Sequence, residues 1–293
     1  MLKRGAHLLG LAMVLGSLFY VGKQLWVYRQ QLGEQLTVEQ LLHPGLSGGI
    51  AYGMLSLLLG AAWAILLPVS TPWHARYTIL AKSQIAKYLP GNLFHFVGIY
   101  LLGKQVGIDA KTLGKALFYF TALTLISALC MTVPILPKLA AMVPVLHNLD
   151  NLILWLTVIL LFIVSLIMAR RYLPEMTYSL RPLSISLGLQ LIFHLGAGWI
   201  FVWQLPGPHT PMETLFLIQA YLATWAVGYI TPGSPGGIGI REGGLLLLLA
   251  PLYGEPATLY AALMMRGVTT VGDFLFFFSG VLIRKKPLMA PGS

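Results

Sequence analysis

The chain has 293 residues, of which 57% are hydrophobic and only 10% are charged. Soluble domains carry roughly 25% charged residues, so the composition excludes a soluble globular protein and indicates an all-α polytopic membrane protein with one integral membrane domain, residues 1–293. Nineteen Lys and Arg oppose nine acids, as the positive-inside rule predicts, and this excess favours an anionic membrane lipid as partner. No basic face with interleaved aromatic residues occurs in a polar segment, so nucleic acid is not an expected partner.

The first part of the chain contains two predicted spans. The apolar run at 8–21 resembles a signal peptide, but no A-x-A-like cleavage site follows it, so we expect a retained first span. An external loop is predicted over 23–44 and a second span over 46–67, close to the roughly 20 residues that a bilayer requires. The segment 70–87 carries basic residues and no acid, which predicts a cytoplasmic location.

A first interruption follows at Tyr88-Leu89-Pro90-Gly91-Asn92. The apolar run behind it, 93–102, is short for a span and typical of a re-entrant segment. Lys104, Lys111 and Lys115 come next, which fits a return to the cytoplasmic side. We therefore predict a broken or re-entrant segment near 88–103.

Later apolar runs predict the remaining crossings. The predicted spans are 116–134, 152–169, 183–203, 212–228 and a final run at 257–283, with external loops at 135–150 and 204–211. Basic residues at 3–4 and 284–286 predict that both termini are cytoplasmic. The expected location is the inner (cytoplasmic) membrane. Two cytoplasmic termini require an even number of membrane crossings, which favours eight crossings, with 243–253 as one of them. Seven crossings are the alternative if 243–253 is re-entrant and the C-terminal end lies outside.

A second interruption lies between two apolar runs, at 229–244, and defines a broken segment near 229–253. It contains two prolines, which remove backbone donors, and six glycines, which make a regular helix costly. Arg241 and Glu242 then stand beside a run of leucines. Irregular backbone at membrane depth survives only where protein buries it or water reaches it, so the stretch predicts a cavity; a plain connecting loop is the alternative.

The two interruptions resemble each other, since each is a Tyr-x-x-Pro-Gly or Tyr-x-Pro-Gly stretch before a short apolar run. Paired interruptions in the two halves of a transporter point to its substrate site, so an internal inverted repeat is one interpretation. Coincidence is the other, because short Pro-Gly motifs are common. Helix N-termini at such breaks offer N–H groups to an anion.

Two further charges lie in the last apolar run. Arg266 and Asp273 are seven residues apart, so they share a helix face at roughly 10 Å, too far to pair directly. Pairing of Arg241 with Asp273, or of Glu242 with Arg266, would satisfy them. The alternative to ligand contact is structural ion pairing for Arg266 and Asp273, and a charge pair in a cytoplasmic loop for Arg241 and Glu242.

Nine residues are the candidates for substrate binding. They are Lys87, Tyr88, Asn92, Gly236, Gly237, Arg241, Glu242, Arg266 and Asp273. Lys87 suits phosphate as a point charge or serves as a positive-inside anchor, and Asn92 either caps a helix or contacts the ligand. The histidines, His95 and His194 included, lack the paired spacing of a zinc site, no nucleotide-binding loop occurs, and we expect no metal, no cofactor and no enzymatic activity.

Residues 81–95 (AKSQIAKYLPGNLFH) and 235–243 (PGGIGIREG) resemble the two signatures of the lysylphosphatidylglycerol synthase transmembrane-domain family, which includes the flippase half of multiple-peptide-resistance proteins and stand-alone relatives. Residues 266–273 resemble its closing helix. The resemblance implies a translocase that moves a phosphate-bearing anionic or aminoacylated phospholipid, or a polyprenyl-phosphate-linked lipid, between leaflets. The chain ends at Ser293 without a soluble synthase domain, so aminoacyl transfer is not expected.

A different class of function also fits these observations. The chain can act as an accessory membrane subunit that anchors or presents lipid substrate to a glycosyltransferase or another lipid-modifying enzyme. Head-group exposure by the protein alone separates the translocase from the accessory subunit.

Overall fold

The structure is a computed structural model that describes residues 26, 38–88, 94–132, 135, 179–231 and 235–283. The predicted spans at 8–21 and 152–169, most of the loop 135–150, both chain ends and the candidate residue Asn92 lie outside these ranges. Every regular element in the described ranges is helical.

Eight α-helices and two short 3₁₀ helices make up this part of the chain. In order, the α-helices are α1 Val38–Ile65, α2 Trp73–Ser83, α3 Phe94–Gln105, α4 Ala110–Thr132, α5 Leu180–Val202, α6 Pro211–Ile230, α7 Ile240–Tyr253 and α8 Glu255–Leu282. The 3₁₀ helices Gln84–Tyr88 and Pro235–Gly237 follow α2 and α6. The predicted all-α class is confirmed for the described residues.

Within the described ranges, four helices are long and apolar enough to cross a membrane, namely Pro44–Ile65 of α1, and α4, α5 and α8. They coincide with the predicted spans at 46–67, 116–134, 183–203 and 257–283. The predicted span at 212–228 lies in α6, a helix of 20 residues that is not one of these four. Helices α3 and α7, with 12 and 14 residues, are shorter than a hydrocarbon core requires. The described helices support a membrane protein, and the count of eight crossings stays a prediction.

One predicted boundary is wrong. The external loop was expected to reach residue 44, but α1 begins at Val38 and contains Pro44. Polar residues such as Glu39 and Gln40 suggested a loop, yet both are good helix formers. A proline inside a membrane helix is tolerated where neighbouring groups satisfy the freed backbone carbonyl.

Helices α1 and α8 form a closely packed central pair. A Cβ added at Gly49 would lie 2.6 Å from the Val271 side chain, and one at Gly53 would lie 3.0 Å from Leu275. On α8, a Cβ at Gly272 would lie 2.9 Å from the backbone nitrogen of Gly53. Small residues at such crossings let membrane helices approach closely, so this pair forms a rigid support for the elements around it.

The described apolar core has two large clusters that meet around the central pair and one small cluster between α7 and α8. One large cluster joins α1, α4, α5, α6, α7 and α8 and includes Phe193 and Trp225. The other joins α1, α2, α3 and α4 with α8 and includes Phe120 and Phe276. All four of these aromatic residues line one cavity, which therefore lies between the two large clusters.

Side-chain hydrogen bonds explain two helix boundaries. Arg76 of α2 donates from Nη1 to the carbonyl oxygens of Ala64 and Leu67, at 2.9 and 3.1 Å, and so satisfies the end of α1. Thr210 caps α6, because its Oγ1 accepts from the Glu213 amide at 3.3 Å while Glu213 Oε2 accepts from the Thr210 amide at 2.7 Å.

Candidate functional site

The two interruptions lie against each other. The 3₁₀ helix Gln84–Tyr88 leads into the first interruption, whose residues 89–93, with the predicted break at Pro90-Gly91, lie outside the described ranges; α6 ends at Ile230 before α7 begins at Ile240. The two 3₁₀ helices are in contact, and a Cβ at Gly236 would lie 3.5 Å from the Tyr88 ring. Two stretches about 140 residues apart in sequence therefore form one structural unit.

The second interruption depends on glycine. Gly236, Gly237 and Gly239 have φ of 57°, 75° and 82°, a left-handed conformation that glycine adopts without strain. A Cβ at Gly237 would also lie 2.6 Å from Nε of Arg241. The glycines therefore form a tight bend, and the absence of a side chain at Gly237 lets Arg241 lie close against the backbone.

Glu242 and Arg266 fasten this bend to α8. Glu242 is buried; its Oε1 accepts from Arg266 Nε at 2.8 Å and from Nη2 at 2.5 Å, and its Oε2 accepts from the Gly239 amide at 2.7 Å. Arg266 Nη1 donates to the Gly236 carbonyl at 2.8 Å. One of the two pairings considered from the sequence is therefore present, and it holds both ends of the bend.

Asp273 fastens the first interruption to the same helix. Its buried Oδ2 lies 2.7 Å from Lys87 Nζ and accepts from the Tyr88 hydroxyl at 2.5 Å. The pairing of Arg241 with Asp273 is wrong, because Lys87 and Tyr88 already occupy that carboxylate. The spacing along α8 explains this, since roughly 10 Å of helix separates Asp273 at the first interruption from Arg266 at the second.

Arg241 is left without a carboxylate partner. No described acid lies within ion-pair distance of it, and its buried Nε donates no hydrogen bond. The guanidinium carbon lies 5.4 Å from the centre of the Trp225 ring, and a Cβ at Gly228 would lie 2.8 Å from Arg241 Cγ. An aromatic face compensates only part of the cost of removing a cation from water, so this guanidinium is available to bind an anion.

A cavity of about 70 Å³ lies beside Arg241. This volume is several times the roughly 10–15 Å³ that one water requires, so a small polar group fits. Lys87 and Asp273 line the cavity together with Gly236 and Gly237. Its remaining lining is mostly aromatic and aliphatic and comes from every described helix.

The predicted residues thus divide into two groups. Five line the cavity: Lys87, Gly236, Gly237, Arg241 and Asp273. Three hold the interruptions by hydrogen bonds: Tyr88, Glu242 and Arg266. The structure does not describe the ninth, Asn92.

Sequence reasoning missed several lining residues. Trp225 and Gly228 lie in the last two turns of α6, directly before the second interruption; the Trp225 ring lies beside the Arg241 guanidinium, and Gly228 faces Arg241 Cγ. His95, which was not among the substrate-binding candidates, lines the cavity, and its buried Nδ1 has no hydrogen-bond partner among the described residues. A tryptophan and a glycine shortly before a break were the available signal, but both residue types are common in apolar helices.

A buried polar chain joins α4 to α5 at the edge of the cavity. Thr124, which lines the cavity, donates to Gln190 Oε1 at 2.5 Å, and Gln190 donates to Ser186 Oγ at 3.2 Å. Ser127 Oγ lies 2.9 Å from His194 Nδ1, which also lies 2.8 Å from the Gln190 carbonyl oxygen. Hydrogen bonds between apolar helices hold them in register, so this chain fixes the cavity wall opposite α8.

Neither protein-family models nor the curated proteins yield a match to this chain. No group of three or more His, Cys, Asp or Glu side chains suited to a metal ion occurs within the described ranges. The chemistry of the cavity is therefore the basis for inferring a function.

Proposed function

We propose that this protein is a lipid translocase, in which the cavity between the two interruptions shelters a phosphate-bearing head group while the lipid tails stay in the bilayer. The observation that carries this proposal is Arg241. Its guanidinium is packed against Trp225 beside the cavity and, among the described residues, has neither a carboxylate nor a hydrogen-bond acceptor. A buried cation of this kind is costly unless a ligand completes its coordination.

Phosphate is the anion that fits this arrangement. Arginine binds phosphate through two parallel N–H···O bonds, which a lysine cannot reproduce. The site also lies where α7 begins, and the N-terminus of a helix favours a negative charge. Lys87 lines the same cavity, but Asp273 compensates its charge, which leaves Arg241 as the group that binds the phosphate.

Two features favour translocation over simple binding. The cavity is large enough for a small polar group but not for a whole lipid, so the acyl or prenyl chains must remain outside it. It is also enclosed by interrupted helices, the arrangement that transporters use for substrate sites within the membrane. Sheltering the phosphate charge lowers the cost of moving it through hydrocarbon.

The finer topology belongs to the same proposal. We place both termini in the cytoplasm, with eight crossings of an inner membrane and an inverted repeat that relates the two interruptions. We assign no enzymatic activity to the chain. Relationship to the lysylphosphatidylglycerol synthase transmembrane-domain family would explain both motifs, and the anion site does not depend on it.

The direct test is head-group exposure in vesicles that contain only the purified protein and a labelled phosphate-bearing lipid. Loss of a charged bidentate hydrogen bond costs about 1.5–3 kcal/mol, which corresponds to roughly tenfold to a hundredfold in rate. We expect a loss of that size in Arg241→Ala and most of it in Arg241→Lys. The exposed Arg181, at the start of α5, supplies the matched control as Arg181→Ala.

The outcomes separate the two classes of function. Normal exposure by a well-folded Arg241→Ala variant would contradict the proposal. Stable co-purification with a glycosyltransferase, without any exposure activity of the wild-type protein alone, would support the accessory-subunit alternative instead.

A further inference from the structure

The balance of charge in the cavity points to a narrower class of ligand. Resting on the proposed function, we infer that the site takes a head group with a single negative charge at the phosphate, a phosphodiester, and discriminates against a doubly charged phosphomonoester.

The charged side chains of the site leave one positive charge over. The cations are Lys87, Arg241 and Arg266, and the carboxylates are Glu242 and Asp273. His95 also lines the cavity and is counted as neutral. A singly charged anion therefore neutralises the site, whereas a doubly charged anion leaves one negative charge without compensation.

The position of the excess charge is specific. Asp273 is engaged by Lys87 and Tyr88, while Glu242 is engaged by Arg266 and the Gly239 amide. Lys87 and Arg266 thus each have a carboxylate of their own, and within the described part of the site only Arg241 does not. The uncompensated positive charge is therefore on the guanidinium of Arg241, whose planar geometry suits the two non-bridging oxygens of one phosphodiester.

The cavity walls make a second negative charge costly. Tyr52, Phe193, Trp225 and Phe276 line it, and these aromatic walls solvate ions poorly. An uncompensated charge in such surroundings is strongly disfavoured. A phosphomonoester carries close to two charges at neutral pH and loses one of them below its second pKa of about 6, whereas a phosphodiester keeps one charge throughout.

Two lipids with identical acyl chains isolate this difference. Phosphatidylmethanol is a phosphodiester with one charge and no further head-group chemistry, and phosphatidic acid is a phosphomonoester. Each competes with a fluorescent phosphatidylmethanol for the purified protein in dodecyl maltoside micelles, which contain no phosphate. At pH 7.5 we expect phosphatidylmethanol to bind about tenfold more tightly or better, and at pH 5 we expect the difference to shrink through tighter binding of phosphatidic acid.

A change of the site's charge tests the same inference. Asp273→Asn makes the net charge of the site more positive by one and keeps an oxygen that accepts from Tyr88. The affinity for phosphatidic acid at pH 7.5 is therefore expected to rise relative to the affinity for phosphatidylmethanol. Asp109→Asn is the matched control, since Asp109 is exposed between α3 and α4 and does not line the cavity. If Asp273→Asn does not fold, the pH comparison on the wild-type protein still decides the question.

The results distinguish this inference from the function on which it rests. If phosphatidic acid binds as tightly as phosphatidylmethanol at pH 7.5, and Arg241→Ala abolishes the binding of both lipids, the charge inference alone is overturned. Equal binding of both lipids by the wild-type and Arg241→Ala proteins overturns the anion site as a whole, as does binding of neither lipid. Soluble dimethyl phosphate competing as well as phosphatidylmethanol supports the single charge but overturns a lipid ligand.

Discussion

The two interruptions are attached to the same helix by charges of opposite sign. At the first interruption, α8 provides the carboxylate of Asp273, which receives Lys87 and Tyr88. At the second, α8 provides the guanidinium of Arg266, which donates to Glu242 and to the Gly236 carbonyl. The 3₁₀ helix at the first interruption and the glycine bend at the second are therefore both positioned by one rigid element.

They differ in what they leave unpaired. Lys87 and Tyr88 at the first interruption both contact Asp273, whereas the second pairs Glu242 with Arg266 but leaves Arg241 without an acceptor among the described residues. Holding the backbone and offering a charge to a ligand are thus carried out by different residues. Variants that affect only one of these tasks test the distinction.

The largest effect is expected for Glu242→Ala. This change removes three hydrogen bonds, leaves Arg266 without its carboxylate, and frees the Gly239 amide. Removing one partner of a buried ion pair costs about 3–5 kcal/mol of unfolding free energy, so we expect a large drop in folded yield and melting temperature in detergent. Asp273→Ala is expected to cost less, because Asp273 makes only the contacts with Lys87 and Tyr88, whereas Glu242 accepts three hydrogen bonds.

A double variant identifies the cause of that loss. Removing both charges, as in Glu242→Ala with Arg266→Ala, leaves no buried ion alone and is expected to recover part of the stability lost in Glu242→Ala. If the double variant is the sum of the two single variants, Glu242 and Arg266 act independently and the proposed attachment is wrong.

Much of this arrangement could be predicted because the signals are local. Proline, glycine and charges inside apolar runs marked the second interruption, and the structure has its bend at Gly236, Gly237 and Gly239. The helical class and four apolar helices followed from composition and run length. The pairing of Glu242 with Arg266 was one of two options, because each buried charge requires a partner.

The remaining features depend on tertiary contacts that no local pattern encodes. Nothing in the sequence decides that Asp273 pairs with Lys87 rather than Arg241, since that depends on the level at which each interruption meets α8. The roles of Trp225 and Gly228 depend on the direction of the Arg241 side chain. Pattern reasoning likewise extended a loop to Pro44, although α1 already begins at Val38.

A smaller effect is expected when one hydrogen bond of the first interruption is removed. Tyr88→Phe loses the bond to Asp273 but keeps the ring and the Lys87 pair. We expect a stability loss of about 0.5–1.5 kcal/mol, measured by thermal unfolding. Tyr77→Phe is a matched control, because its hydroxyl lies 2.6 Å from Ser279 Oγ, an uncharged partner, whereas the Tyr88 hydroxyl donates to Asp273, which lines the cavity. Both variants should lose similar stability, but only Tyr88→Phe should weaken anion binding; equal effects on binding would show that Tyr88 has no special connection to the cavity.

The smallest effect on stability is expected at Gly228, where the consequence is for binding. A Cβ there would lie 2.8 Å from Cγ and 3.0 Å from Nε of Arg241, so Gly228→Ala must push that side chain away from its place over Trp225. Alanine stabilises a helix by about 0.5–1 kcal/mol relative to glycine, which offsets part of the steric cost and keeps the net change in stability small.

Gly188→Ala in α5 is the matched control, since a Cβ there meets nothing within 4 Å. Thermal unfolding should therefore be nearly unchanged in Gly228→Ala and unchanged or slightly improved in Gly188→Ala. Competition with phosphatidylmethanol should weaken only in Gly228→Ala, because binding at the second interruption requires Arg241 in its observed orientation. Full affinity in a Gly228→Ala protein that unfolds normally would mean that the ligand does not depend on that orientation, and the contrast between the two interruptions would lose its functional meaning.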